Sequence, residues 1–350
     1  VELVERLKGK NMFAKRLPLL LTLGFAMSIG LPLFGQEHGG GGVTWFDNHA
    51  EATKQAKEEG KLLIVHLTTT KCGWCRKIEN ETYPDEKVQA LLKTMVPLKI
   101  FLDGPSPAFG RMLMAKAGAR GVPTILVLDQ NLTLFKYISG YKKPAAFIEE
   151  VNKGIAARDE FQAKVKKMEE GEADYVALYE FLQFVKKFKA GKLIRKFGEK
   201  ALAMEKGEHH AEIAFLVATT FKPTEDGFAK NRELVQKYDP ENSKGYIDAL
   251  VIEEGMAVLR TIKSNEEAEM IFPKVIKIFE DRVNATTPKL HKEKGQILYF
   301  YLSNLHFKRG KGDVAKTREM LEKGIALDPN SKHGQGMAKQ LAKIKEMFPG

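Results

Sequence analysis

Apolar positions along this chain recur with two different periods, and the change of period divides it. Residues 62–67, Leu-Leu-Ile-Val-His-Leu, form a nearly continuous apolar run rich in branched side chains, the pattern of a strand covered on both faces. Residues 97–102 and 125–128 read the same way, and a turn at Asp129-Gln130-Asn131 joins the latter to a further strand over 132–138. Between these runs the spacing lengthens to three or four. It predicts a helix capped by Asp47 or Asn48 and stopped by Gly60, and others from Cys72 to Glu81 and over 85–94, 107–117 and 145–157. Beyond residue 158 strand signals almost vanish. Breaks fall at Gly171, Gly191, Gly207, Pro223, Asp239-Pro240, Ser264-Asn265, Thr287-Pro288, Gly310-Lys311-Gly312 and Asp328-Pro329-Asn330. Helices fill the intervals. The predicted architecture is therefore an α/β domain over 43–157, with a mixed sheet flanked by helices, then an all-α array of stacked antiparallel pairs over 158–350.

Ahead of the first domain, Lys15 and Arg16 precede a long apolar stretch at 17–34 that is broken by Pro18, Gly24 and Pro32. That is the layout of a secretory signal, and its length also suits an uncleaved N-terminal membrane tether. Gly39-Gly40-Gly41-Gly42 follows as a flexible linker, so residues 1–42 read as leader plus linker and the rest as exported, to the periplasm or another extracytoplasmic space.

Composition narrows the picture only slightly. At 350 residues, with 43% hydrophobic and 29% charged positions, the chain has the make-up of a soluble globular protein with more than one core. Its net charge of +11 is spread over helices that also carry many glutamates. No basic patch interleaved with aromatics accompanies it, so a solvated surface is expected and nucleic acid is not an expected partner. In the helical half, Tyr175, Tyr179, Phe181, Phe184 and Phe188 fall at helical spacing and read as buried pairing faces.

The chemistry lies in Cys72-Gly73-Trp74-Cys75, which holds both cysteines of the chain and opens the helix after the first strand. A thiol at a helix N-terminus faces unpaired N–H groups and the positive end of the dipole, both of which favour thiolate. Three positions on, the second thiol shares its helical face and can attack a mixed disulfide formed by the first. Zinc would need two further ligands, and no second cysteine pair or suitably spaced histidine pair is present. A purely structural bridge across so short a loop would remove little unfolded-state entropy. Dithiol–disulfide exchange is the expectation.

The order helix, strand, C-x-x-C, helix, strand, helix, Gly121-Val122-Pro123-Thr124, hairpin, helix resembles the thioredoxin fold. Ala119-Arg120-Gly121-Val122-Pro123-Thr124 resembles the thioredoxin segment whose proline is cis and faces the active disulfide. Residues 61–65 before Cys-Gly-Trp-Cys, followed by Glu81-Thr82-Tyr83-Pro84-Asp85, are similar to extracytoplasmic thioredoxin-like proteins. The resemblance implies a thiol–disulfide oxidoreductase with no cofactor beyond the redox-active Cys72–Cys75 pair. Cys72 would be the exposed attacking thiolate and Cys75 the buried resolving thiol. Gly73, Trp74, Val122 and Pro123 would shape the substrate surface, with the Val122 backbone pairing with an extended client chain.

One position departs from the resemblance. Six residues before the first cysteine, where thioredoxins carry a buried acid, this chain has His66, with Lys99 on the next strand. His66 is expected to be neutral, as a proton relay for Cys75 together with Lys99 or as a hydrogen-bonded core residue. In the helical half, residues 312–329 resemble the second helix of a tetratricopeptide repeat, departing from it at Thr317 and Gly324, so the array reads as degenerate repeats that recruit partners. The partners implied are client proteins or peptides with thiols or disulfides and an upstream redox partner. The competing reading is a non-catalytic helical binding protein with a thioredoxin-like scaffold or redox switch.

Overall fold

The computed structural model describes residues 42–105, 107–204, 207–308 and 312–349; the expected leader and the linker up to residue 41 lie outside the described residues. The first helix, α1 (His49–Glu59), starts where the Asn48 carboxamide accepts from the N–H groups of Ala50 and Glu51, and it ends at Gly60 with φ of 64°. Strand β1 (Leu63–Thr68) follows, then α2 (Gly73–Glu81), α3 (Glu86–Lys93), β2 (Val96–Phe101), α4 (Ala108–Ala117), β3 (Thr124–Leu128) and β4 (Leu134–Ser139). The sheet order is β2-β1-β3-β4, with β1 parallel to β2 and antiparallel to β3, and β3 antiparallel to β4. This is the mixed sheet that the pattern of runs predicted.

β1 is central, which is why its run lacks alternation. Leu63, Val65 and Leu67 face α1 and α4, among Ala52, Ala56 and Leu113. Ile64 points to the other face with Ile78, Val88, Phe147 and Val151, carried by α2, α3 and the helix after β4. β4 begins two residues later than expected. The Asp129 carboxylate takes the N–H groups of Asn131 and Thr133, and Leu132 adopts φ of 61°, so the turn extends before pairing starts.

The helix predicted to close this domain at residue 157 continues instead as α5 (Pro144–Glu170), 27 residues long. Nothing breaks it before Gly171. Gly154, within the helix, allows close approach, because a Cβ there would lie 2.9 Å from the Lys136 Cβ and 3.1 Å from the Val127 Cβ. The second half of α5 carries Phe161 into the same core as Phe135 of β4 and Phe181, Leu182 and Val185 of α6 (Tyr175–Lys186).

A succession of helices completes the described chain: α7 (Gly191–Leu202), α8 (His210–Ala218), α9 (Asp226–Tyr238), α10 (Tyr246–Leu259), α11 (Asn265–Val283), α12 (Lys292–Lys308), α13 (Val314–Leu327) and α14 (Lys332–Met347). Successive helices pack on one another. Of the expected aromatic stripe, Phe181 is buried against Phe197, while Phe184 and Phe188 are half-buried and meet the Phe161 ring tilted and edge-on, respectively.

Candidate redox site

β1 delivers the chain to one end of the sheet, three residues of loop follow, and Cys72 caps α2. Its sulfur accepts from the Cys75 N–H at 3.1 Å, and the first turn of α2 holds no acidic residue to oppose negative charge there. Cys72 and Cys75 are joined as a disulfide with Cα atoms 5.3 Å apart. Cys75 is 1% exposed and Cys72 8%, so the cysteine expected to attack is less open than predicted, though still the more accessible. With its sulfur bonded to Cys75 and resting on an N–H of the helix, the Cys72 side chain lies over α2. Between them Gly73 and Trp74 face solvent, Trp74 at 60% exposure.

Leu67 and Thr124 are partners in the β1–β3 register, so the segment leading into β3 leaves the sheet at the same end as the cysteines. That segment contains Val122, half-buried, and Pro123, buried; the peptide between them is cis. The Pro123 carbonyl accepts from the Gly140 N–H at 3.0 Å, which ties this loop to the one that leads into α5.

The thioredoxin-like domain family matches residues 49–155, a span that includes both cysteines and the cis proline. Residues 49–155 are a thioredoxin-like domain. Solved structures similar to the chain include a DsbH oxidoreductase, 15% identical over 43% of this chain and 95% of that one, with a TM-score of 0.29. The C-terminal domain of DsbD from Neisseria meningitidis, in the oxidised form, is 18% identical over 31% of this chain and 98% of its own, with a TM-score of 0.28. A thioredoxin from Thermus thermophilus is 21% identical over 31% and 83%, with a TM-score of 0.27. Comparison with curated proteins gives no match.

Behind the disulfide of the thioredoxin-like domain, His66 is fully buried, and neither ring nitrogen has a hydrogen-bond partner among the described residues. Burial, with Lys99 nearby, pushes its pKa down from 6.5 to about 3, so the ring is neutral at ordinary pH. Trp45 and Tyr83 enclose it, with ring centroids 6.1 and 5.7 Å away. Burial and the Glu79 charge together raise the Tyr83 phenol well above its ordinary range.

The sequence reading missed Glu79. It lies one turn beyond Cys75 on α2, so the two share a helix face, and its Oε1 is 3.0 Å from the Lys99 ammonium and 3.9 Å from His66 Nδ1. A carboxylate from α2 thus reaches both His66 and Lys99. The i, i+4 spacing from Cys75 was visible in the sequence; that it would meet a buried lysine from β2 was not. A second group escaped notice on the outer face. Tyr141 lies 6.0 Å from Trp74, the Lys77 ammonium sits 5.4 Å from the Trp74 ring and 4.9 Å from that of Tyr141, and the Tyr141 hydroxyl donates to Glu81 at 2.6 Å. These contacts set the Trp74 ring beside the disulfide.

Proposed function

We propose that this chain is an exported thiol–disulfide oxidoreductase that reduces or exchanges disulfides in client proteins through Cys72 and Cys75, while its helices recruit partners. The observation that supports it most is the Cys72–Cys75 disulfide at the mouth of α2, with the Cys75 N–H on the Cys72 sulfur. In the reduced protein the same N–H and the helix terminus stabilise a Cys72 thiolate. That thiolate attacks a client disulfide. One client sulfur leaves as thiolate and takes a proton, and the other is held as a mixed disulfide with Cys72. Cys75 then gives up its proton and attacks the Cys72 sulfur, releasing the second client thiolate and closing the Cys72–Cys75 bond. Two electrons pass to the client, and an upstream dithiol partner restores them.

The second attack needs an acceptor for the Cys75 proton. Glu79, on the Cys75 face of α2 and held by Lys99, is the carboxylate suited to take it; His66, neutral and buried, keeps the surroundings apolar. Val122 and Pro123 would offer their backbone to an extended client strand. Export rests on the apolar leader at 17–34, and recruitment on the stacked helices after α5.

Reduction of a protein disulfide with dithiothreitol as electron source tests the reading. Cys72→Ser is expected to abolish turnover and Cys75→Ser to accumulate mixed disulfides with the client. Wild-type turnover in both variants would refute the reading and leave a helical binding protein in its place.

A further inference from the structure

The thioredoxin-like disulfide opens at the end of the sheet where several connections meet, and hydrogen bonds lock those connections into one rim. Thr70 donates to the Asp103 carboxylate through its N–H at 2.9 Å and its hydroxyl at 2.5 Å, joining the β1–α2 loop to the segment after β2. The Pro123 carbonyl holds the Gly140 N–H, and the Thr82 hydroxyl donates to the Lys142 carbonyl at 2.6 Å, joining the β3 entry, the β4–α5 loop and the end of α2.

The charge on this rim is lopsided. Lys71, Arg76, Lys77, Arg120, Lys142 and Lys143 stand on it against Asp103 and Glu81. Both carboxylates are already engaged, Asp103 by Thr70 and Glu81 by the Tyr141 hydroxyl and, at 3.8 Å, by Lys77. Lys71, Arg120 and Lys143 are exposed and Lys142 half-buried; Lys71 acts on Asp103 through its charge, whereas Arg120, Lys142 and Lys143 form no ion pair among the described residues. Along α5, by contrast, Lys153, Lys164 and Lys166 each pair with a glutamate one turn away on the same helix. The exposed Trp74 ring lies on this rim between the two cysteines, with the Lys77 ammonium 5.4 Å from it.

We propose that this rim selects protein or peptide partners whose reactive cysteines are flanked by Asp and Glu, with an apolar side chain to lie on Trp74. The proposal rests on the oxidoreductase reading and names its partner class. Positive charge around the sulfur both steers an acidic segment to the site and holds it there while the mixed disulfide forms, and the steering is screened by salt.

The test uses the full chain, reduced, and three peptide disulfides that are identical except for Asp, Asn or Lys on both flanks. Rates of oxidation of the protein are expressed relative to hydroxyethyl disulfide on the same preparation, at low and at physiological ionic strength. The acidic peptide is expected to react about tenfold faster than the neutral one at low salt, with the basic peptide slower still and the spread narrowing as salt rises. Lys142→Glu with Lys143→Glu is expected to reverse the order of the acidic and basic peptides. Equal rates for the three peptides, or an acidic preference that the double reversal leaves intact, would overturn this proposal alone. No reaction with hydroxyethyl disulfide or with any peptide would defeat the oxidoreductase reading, and this proposal with it.

Discussion

Behind the disulfide, His66 lies fully buried with neither ring nitrogen hydrogen-bonded among the described residues, whereas Asp248 of α10, just as buried, accepts three hydrogen bonds. Arg282 Nε donates to Asp248 at 2.5 Å, Asn242 Nδ2 at 2.8 Å and the His291 N–H at 2.8 Å; Arg282 and Asn242 also reach the Lys289 carbonyl, each at 3.2 Å. That cluster pins α10, α11 and the turn before α12 into one arrangement, and Asp248 is held inside by its pairing with Arg282. His66 stays inside by giving its charge up. Next to it the charged groups are Glu79, which retains a quarter of its side-chain surface, and Lys99, drawn to it from β2. A buried ionisable group with every bond made is a fastener. His66, neutral and enclosed by Trp45 and Tyr83, instead keeps its surroundings apolar.

Breaking the fastener should cost most. Asp248→Ala leaves Arg282 buried beside a void, and the expected loss is about 3–5 kcal/mol, read from urea unfolding followed by helical circular dichroism. A loss below about 1 kcal/mol would mean that the cluster is ornamental to stability.

His66 should show itself through acid. Its folded pKa, about 3, lies below the ordinary 6.5, so the unfolded chain binds the extra proton and stability rises with pH. The contribution is complete above 6.5 and is lost, at about 1.4 kcal/mol per pH unit, as pH falls from 6.5 towards 3. His66→Leu is expected to flatten that slope in unfolding measurements made between pH 7 and pH 4. An unchanged slope would show that another group sets the acid sensitivity.

Next in size is Glu79→Gln, which takes away the carboxylate 3.0 Å from Lys99. We expect a loss of about 1–3 kcal/mol in stability together with a roughly tenfold slower collapse of the mixed disulfide, followed by stopped-flow in a single turnover. Slower collapse without instability would still place Glu79 on the proton path. Instability with wild-type collapse would make it only a partner for Lys99.

Smallest in stability is Trp74→Ala. With the ring 60% exposed, the unfolding free energy should move by no more than about 0.5 kcal/mol, while turnover on a protein disulfide falls and that on a small disulfide does not. Equal losses on both substrates would show that the ring tunes the sulfurs, not the client.

Much of the thioredoxin-like domain was legible because its signals are local. The apolar run at β1, the caps at Asn48 and Gly60, and a C-x-x-C directly after a strand each depend on neighbours within a few residues. The end of α5 was not legible. The drop in strand signals suggested a boundary near 157, yet no residue there stops a helix, and Phe161 found a partner in Phe135 that the chain's order does not reveal. Pro273 was equally silent, since α11 runs through it.

By itself the sequence determined two sulfurs on one turn, a strand to present them and a helix dipole to activate them, because spacing and periodicity are properties of the chain. Only the tertiary structure decided that Glu79 and Lys99 should meet 3.0 Å apart, that His66 should be sealed in with no hydrogen bond to its ring among the described residues, and that Lys77 and Tyr141 should close on the Trp74 ring. The reason is reach. Periodicity tells which way a side chain faces on its own element, whereas the environment that sets its charge comes from elements brought alongside by packing.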